Sequence, residues 1–216
     1  MRYQLIVFDW DGTLLDSAGA IARSIQAACV DLGLPVPSDA QARHVIGLGL
    51  VDALRHAVPA LGPDRYQEMV DRYRFHYLSG DHNLSLFPGV PEMLQHLQAT
   101  GRMLAIATGK SRLGLDRALD HSALRSFFQA SRCADECHSK PHPQMLEELM
   151  AEFGVDPESV LMIGDTSHDM LMAKNAGVDG LAVTYGAHPH DHLLDCAPRA
   201  CVHSVAELDQ WLIQFA

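Results

Sequence analysis

Short runs of consecutive apolar residues alternate along this chain with longer stretches in which apolar residues recur every three or four positions. Leu5-Ile6-Val7-Phe8 is the first run, and Met103-Leu104-Ala105-Ile106-Ala107 and Val160-Leu161-Met162-Ile163 repeat its form. Unbroken apolar runs of this length are expected for parallel strands covered on both faces. Leu181-Ala182-Val183 predicts a fourth strand, with weaker candidates near Phe128 and at Cys201-Val202. Between them, helical spacing predicts helices over Pro91–Thr100, Ser111–His121, Pro143–Phe153, Ser167–Ala176 and Ser204–Phe215. Gly101, Gly154 and Gly177 stand where helices would stop, and Ser204 and Asp165 where they would begin. Strands alternating with helices predict an α/β fold, a doubly wound parallel sheet with a Rossmann-like core.

One stretch breaks the alternation. From Ser17 to Gly80 the spacing is helical throughout: Ile21, Ile25, Ala28 and Leu32; then Val51, Leu54 and Val58; then Tyr66, Met69, Val70, Tyr73 and Tyr77. Pro35, Pro37, Pro59 and Pro63 punctuate these stripes. The expected organisation is a catalytic core of residues 1–16 plus 85–216, with residues 17–84 inserted as a small helical subdomain. The Tyr66, Met69 and Tyr73 stripe reads as that subdomain's own core.

Composition and charge remove several function classes. With 48% apolar and 20% charged residues the 216-residue chain is globular in composition. Lys plus Arg number 16 against 27 Asp plus Glu, a formal net charge of −11 that disfavours nucleic acid or an anionic membrane as partner. No apolar run approaches the roughly 20 residues of a membrane span. The first residues reach Asp9 and Asp11 too soon for an export signal, so a cytoplasmic location is expected, with the five scattered cysteines reduced. Cys133, Cys137 and His138 lie close in sequence, but no second ligand pair stands at zinc-finger or ribbon spacing. Oligomeric state is not readable.

In an open parallel sheet, ligands bind beyond the carboxyl ends of the strands. Asp9-Trp10-Asp11-Gly12-Thr13 follows the first run, Thr108-Gly109-Lys110-Ser111 the second, and Gly164-Asp165-Thr166-Ser167-His168-Asp169 the third. Asp9 and Asp11 are two apart, so an extended backbone projects both to one side, and carboxylates held so close call for a counterion. Asp165 and Asp169 stand one helical turn apart. Convergent carboxylates without a thiolate point to a hard divalent cation, most simply Mg²⁺. Gly109-Lys110-Ser111 imitates the end of a nucleotide P-loop, but Leu104 stands where that loop needs glycine. Lys110 is left open between phosphate and solvent. His188-Pro189-His190-Asp191-His192 reads as a polar loop, with His188 a possible substrate contact.

Asp9-Trp10-Asp11-Gly12-Thr13-Leu14 resembles the first motif of the haloacid dehalogenase-like superfamily of phosphohydrolases. Thr108 resembles its second motif, Lys140-Pro141-His142-Pro143 its third, and Gly164-Asp165 through Asp169 its acidic fourth. The inserted helices resemble the small cap of the subgroup that includes phosphoglycolate phosphatases and β-phosphoglucomutase. The resemblance implies Asp9 as the nucleophile that forms an aspartyl-phosphate, and Asp11 as the acid and base. It implies Mg²⁺ on Asp9, the Asp11 backbone carbonyl, Asp165 and Asp169, and phosphoryl oxygens on Thr108, Gly109 and Lys140. Cap hinges are expected near Leu15–Asp16 and Ser85–Pro88. Dehalogenating members lack an acid at the position of Asp11, and the ATPase branch follows its nucleophile with Lys-Thr-Gly-Thr; this chain does neither. The expectation is a Mg²⁺-dependent phosphatase for a small soluble phosphomonoester, such as phosphoglycolate or a sugar phosphate. The alternatives are a phosphomutase and, from another class, a non-catalytic receiver-like signalling module.

Overall fold

The protein is described by a computed structural model covering residues 2–80 and 84–216. Six strands form one all-parallel sheet: β1 (Leu5–Phe8), β2 (Met103–Thr108), β3 (Ala130–Cys133), β4 (Val160–Gly164), β5 (Asp179–Val183) and β6 (Ala200–Val202). Their spatial order is β3-β2-β1-β4-β5-β6, so β1 is central, with Leu5 opposite Met103 on one side and Val160 on the other. The chain winds outward from β1 in both directions, which places a topological switch point at its carboxyl end.

Covering both faces explains the unbroken apolar runs. Ile6, Phe8, Leu104, Ile106, Leu161 and Ile163 pack with α5 (Val90–Ala99), α6 (Arg112–Ser122) and α10 (Val205–Phe215). The alternate residues Leu5, Val7, Ala105, Ala107, Val160 and Met162 pack with α7 (Gln144–Phe153) and α8 (Ser167–Asn175) on the other face. Each such Leu, Ile, Val, Met or Phe side chain contributes on the order of 1.5–3 kcal/mol by leaving water, so these central-strand positions do not take a polar residue cheaply.

Between β1 and α5 lie α1 (Ala18–Asp31), α2 (Asp39–His44), α3 (Leu50–Ala57) and α4 (Tyr66–Gly80). Ile21, Ile25, Ala28, Leu54, Met69 and Val70 close on one another as a cluster distinct from the two sheet layers. Residues 81–83, within the expected inserted range 17–84, and Met1 lie outside the described residues. The two connections to the sheet run side by side: Asp16 N donates to Ser85 O at 3.0 Å and Phe87 N to Leu14 O at 3.0 Å.

Two expectations shift. The strand sought near Phe128 begins at Ala130; Phe128 instead sets its ring edge-on to Phe8, centroids 6.4 Å apart. The segment read as a polar loop contains the short helix α9 (His190–Leu194), because Leu193 is buried with Met170 and Ala182 and draws the backbone into a turn. Among the described residues, no helix is long and apolar enough to cross a membrane.

Candidate active site

Three chain segments bring three acids and one lysine to the carboxyl end of β1. Asp9 continues that strand, its N–H donating to Ile163 O at 2.9 Å. Asp165 directly follows β4, and Asp169 sits in the first turn of α8. Thr166 caps that helix: its hydroxyl accepts from Asp169 N, while Asp169 Oδ2 accepts from Thr166 N and Oγ1. The capping exchange fixes the Asp169 carboxylate without any ligand. Lys140, from the segment between β3 and α7, places Nζ 2.8 Å from Asp9 Oδ1 and 2.6 Å from Asp169 Oδ1. Asp165 accepts from Thr13 Oγ1 at 3.0 Å and from Ala187 N at 2.7 Å. All four charged side chains are buried.

Asp9 is the exception in hydrogen bonding. Neither of its carboxylate oxygens makes a hydrogen bond, and the Lys140 ammonium 2.8 Å from Oδ1 stands there as an ion pair. Buried polar atoms are normally satisfied, and an orphaned pair marks a place for a ligand. Oxygens of Asp9, Asp165 and Asp169 lie within 4.8 Å of one another. Three carboxylates facing one ammonium leave two negative charges, the charge a divalent cation offsets, and the all-oxygen donor set suits Mg²⁺ over Zn²⁺.

The electrostatics tell the same story. Burial pushes the Asp9 carboxyl up to about 7, Lys140 opposing and Asp169 reinforcing that shift. Burial, then Asp9 and Asp169, also push Asp165 well above the carboxylate range. For Lys140, burial pulls downward, but Asp169 and Asp9 outweigh it and the ammonium stays charged.

The Asp11 carboxylate is outside this triad. Its Oδ1 accepts from Ser17 Oγ at 2.6 Å and lies 3.0 Å from Lys110 Nζ. In the family resemblance it is the Asp11 backbone carbonyl, and not this carboxylate, that would serve a metal. Gly12 makes the turn possible: its φ is +82°, and a Cβ there would run into the Asp165 carboxylate. Thr108 is buried at the end of β2, its hydroxyl accepting from Lys110 N at 3.2 Å. Gly109 lies directly beneath the inserted helices, where a Cβ would collide with the carbonyls of Gly47 and Leu48.

Several participants escape the sequence reading. Lys110, left open between phosphate and solvent, lies between Asp11 and Tyr77, its side chain 11% exposed. Thr13 and Ser17 hold carboxylates, and only Thr13 belongs to a run the resemblance singles out. His188 is not aimed at a substrate: its Nδ1 accepts from Ser167 N, so Nε2 carries the hydrogen and donates to His44 O at 3.1 Å. His168 Nε2 donates to the same carbonyl at 2.8 Å. The His44 ring stacks on His188 with centroids 5.1 Å apart. Two core imidazoles thus grip one carbonyl at the end of α2, and Gly49 N donates to Ser139 Oγ at 2.8 Å beside them.

That grip makes stability depend on pH. Burial, then the neighbouring His168, push the His188 imidazole down from 6.5 to about 4, so the folded protein holds it neutral. The unfolded chain takes up the proton near pH 6.5. Stability from His188 is therefore complete above that value and falls as pH drops toward about 4, by about 2–3 kcal/mol in total. Denaturant unfolding between pH 4 and 7 should show a shallower slope for His188→Gln than for the native protein; identical slopes would refute this.

Comparison with known proteins agrees with the geometry. The family model described as haloacid dehalogenase-like hydrolase matches residues 6–183. A phosphoglycolate phosphatase of Aliivibrio fischeri is 33% identical over 204 residues, covering 90% of this chain and 90% of that protein. A 5'-nucleotidase of Pseudomonas aeruginosa is 32% identical over 214 residues, covering 98% and 96% respectively. The crystal structure of a predicted phosphoglycolate phosphatase from Haemophilus somnus superposes with a TM-score of 0.87 at 27% identity, covering 98% of this chain and 99% of that one.

Proposed function

The chain belongs to the haloacid dehalogenase-like hydrolase family and is a phosphoric monoester hydrolase, and we propose that it cleaves a small phosphomonoester with Mg²⁺ through an aspartyl-phosphate on Asp9. The observation that carries this reading is the buried Asp9 carboxylate, without a hydrogen-bond donor, beside Lys140 and two further acids.

Asp9 attacks phosphorus in line, a step open to a carboxylate without prior deprotonation of a hydroxyl. Asp11 gives its proton to the departing alkoxide and takes one back from the water that cleaves the acyl phosphate. Thr108, the Gly109 backbone and Lys140 hold the phosphoryl oxygens, the ammonium offsetting charge as it develops. Asp9, Asp165, Asp169 and the Asp11 carbonyl would hold Mg²⁺, which when bound would supply the positive charge that lets the anionic Asp9 and phosphoryl group meet.

Residues 17–84 act as a cap over this site. The close approach of Gly109 to Gly47 and Leu48 and the His44 grip support a closed position, which excludes water during transfer and has to open for exchange. Phosphoglycolate or a sugar phosphate is the substrate class, by likeness to the phosphoglycolate phosphatase, and the 5'-nucleotidase likeness adds nucleoside monophosphates to the set to be tried. A phosphatase is favoured over a phosphomutase because, of the cap arginines Arg23, Arg43, Arg55, Arg65, Arg72 and Arg74, four pair with the cap's own acids: Arg43 with Asp39, Arg55 with Asp52, Arg65 with Glu68 and Arg72 with Asp31.

The test is phosphate release from phosphoglycolate, sugar phosphates and nucleoside monophosphates, ranked by kcat/KM, with and without chelator. One small ester should stand out, and EDTA should remove activity that Mg²⁺ restores. Undiminished turnover in EDTA would overturn the metal assignment, and an isomerised ester without released phosphate would replace the phosphatase by a mutase.

A further inference from the structure

Lys110 has no part in the chemistry of Asp9, Asp11 and Lys140 so far assigned, yet its side chain is only 11% exposed beside the site. It follows Gly109 in the loop between β2 and α6, and its Nζ lies 3.0 Å from Asp11 Oδ1 and 3.1 Å from Tyr77 Oη. The same nitrogen stands 5.0 Å from the centroid of the Tyr77 ring, within cation–π range. Asp11 belongs to the core, and Tyr77 to α4 of the inserted helices. Burial pulls the Lys110 ammonium toward neutrality, but Asp11 and Tyr77 outweigh it and it stays charged. A charge so little exposed, with one partner on the core and one on the inserted helices, is costly to keep, and its value lies in what it positions.

What it positions is one oxygen of Asp11. Oδ1 accepts from the Ser17 hydroxyl at 2.6 Å and is ion-paired to Lys110 Nζ at 3.0 Å. Among the described residues none donates to Oδ2. An oxygen that accepts a hydrogen bond and faces an ammonium has little room for a proton of its own, so a proton carried by Asp11 belongs on Oδ2. We propose that Lys110 is a positioning residue that carries cap closure to Asp11: seated on Tyr77 of the closed cap, it fixes Oδ1 and leaves Oδ2 to exchange the proton with the leaving group. As Asp9 forms its bond to phosphorus, the electron pair of the breaking ester bond stays on the leaving oxygen, which takes the Oδ2 proton. With the cap open, Tyr77 withdraws and Asp11 loses its fixed orientation, so proton transfer is tied to closure. This rests on the reading of Asp11 as the acid.

Leaving-group dependence separates this role from phosphate binding or structure. An alkyl alkoxide needs the proton as it departs, whereas p-nitrophenolate leaves well without one. For Lys110→Met, kcat/KM should fall about 100-fold on an alkyl phosphomonoester but less than about 5-fold on p-nitrophenyl phosphate. Tyr77→Phe, which keeps the ring and removes the hydroxyl, should show the same selectivity at about 10-fold and covers the case in which Lys110→Met does not fold. Equal losses on both esters would overturn the proposal. Asp11→Asn is the control: if it is selective and neither Lys110→Met nor Tyr77→Phe is, only the role of Lys110 falls. If Asp11→Asn is not selective, the acid reading falls and takes this one with it.

Discussion

Asp9→Asn should lower kcat by at least about 10⁴-fold while leaving the protein folded. Asparagine matches aspartate in shape, so the packing at the end of β1 is kept, and an amide oxygen is a poor nucleophile toward phosphorus. The substitution also removes one of three carboxylates that face a single buried ammonium. With Asp9 already pushed up to about 7 by burial, its ionised form is not what holds the metal-free fold together. Thermal unfolding without Mg²⁺ should therefore show a variant at least as stable as the native protein. Phosphate release within tenfold of the native rate would contradict the assignment of Asp9, and a large fall in Tm would contradict the electrostatic account.

Lys140→Met should damage both activity and stability. The native ammonium is wholly buried and touches two carboxylates, Asp9 and Asp169. Removing one partner of a buried ion pair leaves uncompensated charge in a medium that solvates it poorly, a loss of about 3–5 kcal/mol. Turnover should fall by about 10²–10³-fold or more, since the positive charge beside the phosphoryl oxygens is gone. Mg²⁺ should return part of the stability, because its charge answers the same carboxylates, and little of the activity. Adding Asp169→Asn to Lys140→Met should also recover stability, a coupling that a double-mutant cycle in urea measures directly. A Lys140→Met protein as stable as the native one without Mg²⁺ would show that the pair is not balanced as described.

Much of this arrangement is readable along the chain, for a physical reason. Parallel strands packed on both faces leave unbroken apolar runs, and the residues just after each run fall at one edge of the sheet. Asp9 follows β1 and Asp165 follows β4, strands that lie side by side, so sequence position alone brings them together. Asp169 is carried along by one turn of helix. Lys140 is harder: nothing local says that the segment between β3 and α7 folds back under β1, and only its motif points there. Where recognition depends on a side chain from a distant helix, local pattern carries no signal. Lys110 finds Tyr77 across a subdomain boundary, and His188 finds a carbonyl of α2. The short helix α9 is hidden by three histidines and a proline around it, and only the burial of Leu193 produces the turn.

The central claim is that Asp9, and not water, makes the first bond to phosphorus. The stereochemical course of hydrolysis, followed with a phosphorothioate monoester made chiral by oxygen isotopes, tests it without needing the intermediate to accumulate. Two in-line displacements, by Asp9 and then by water, predict net retention of configuration at phosphorus. Net inversion would mean a single displacement by water, and would contradict the account.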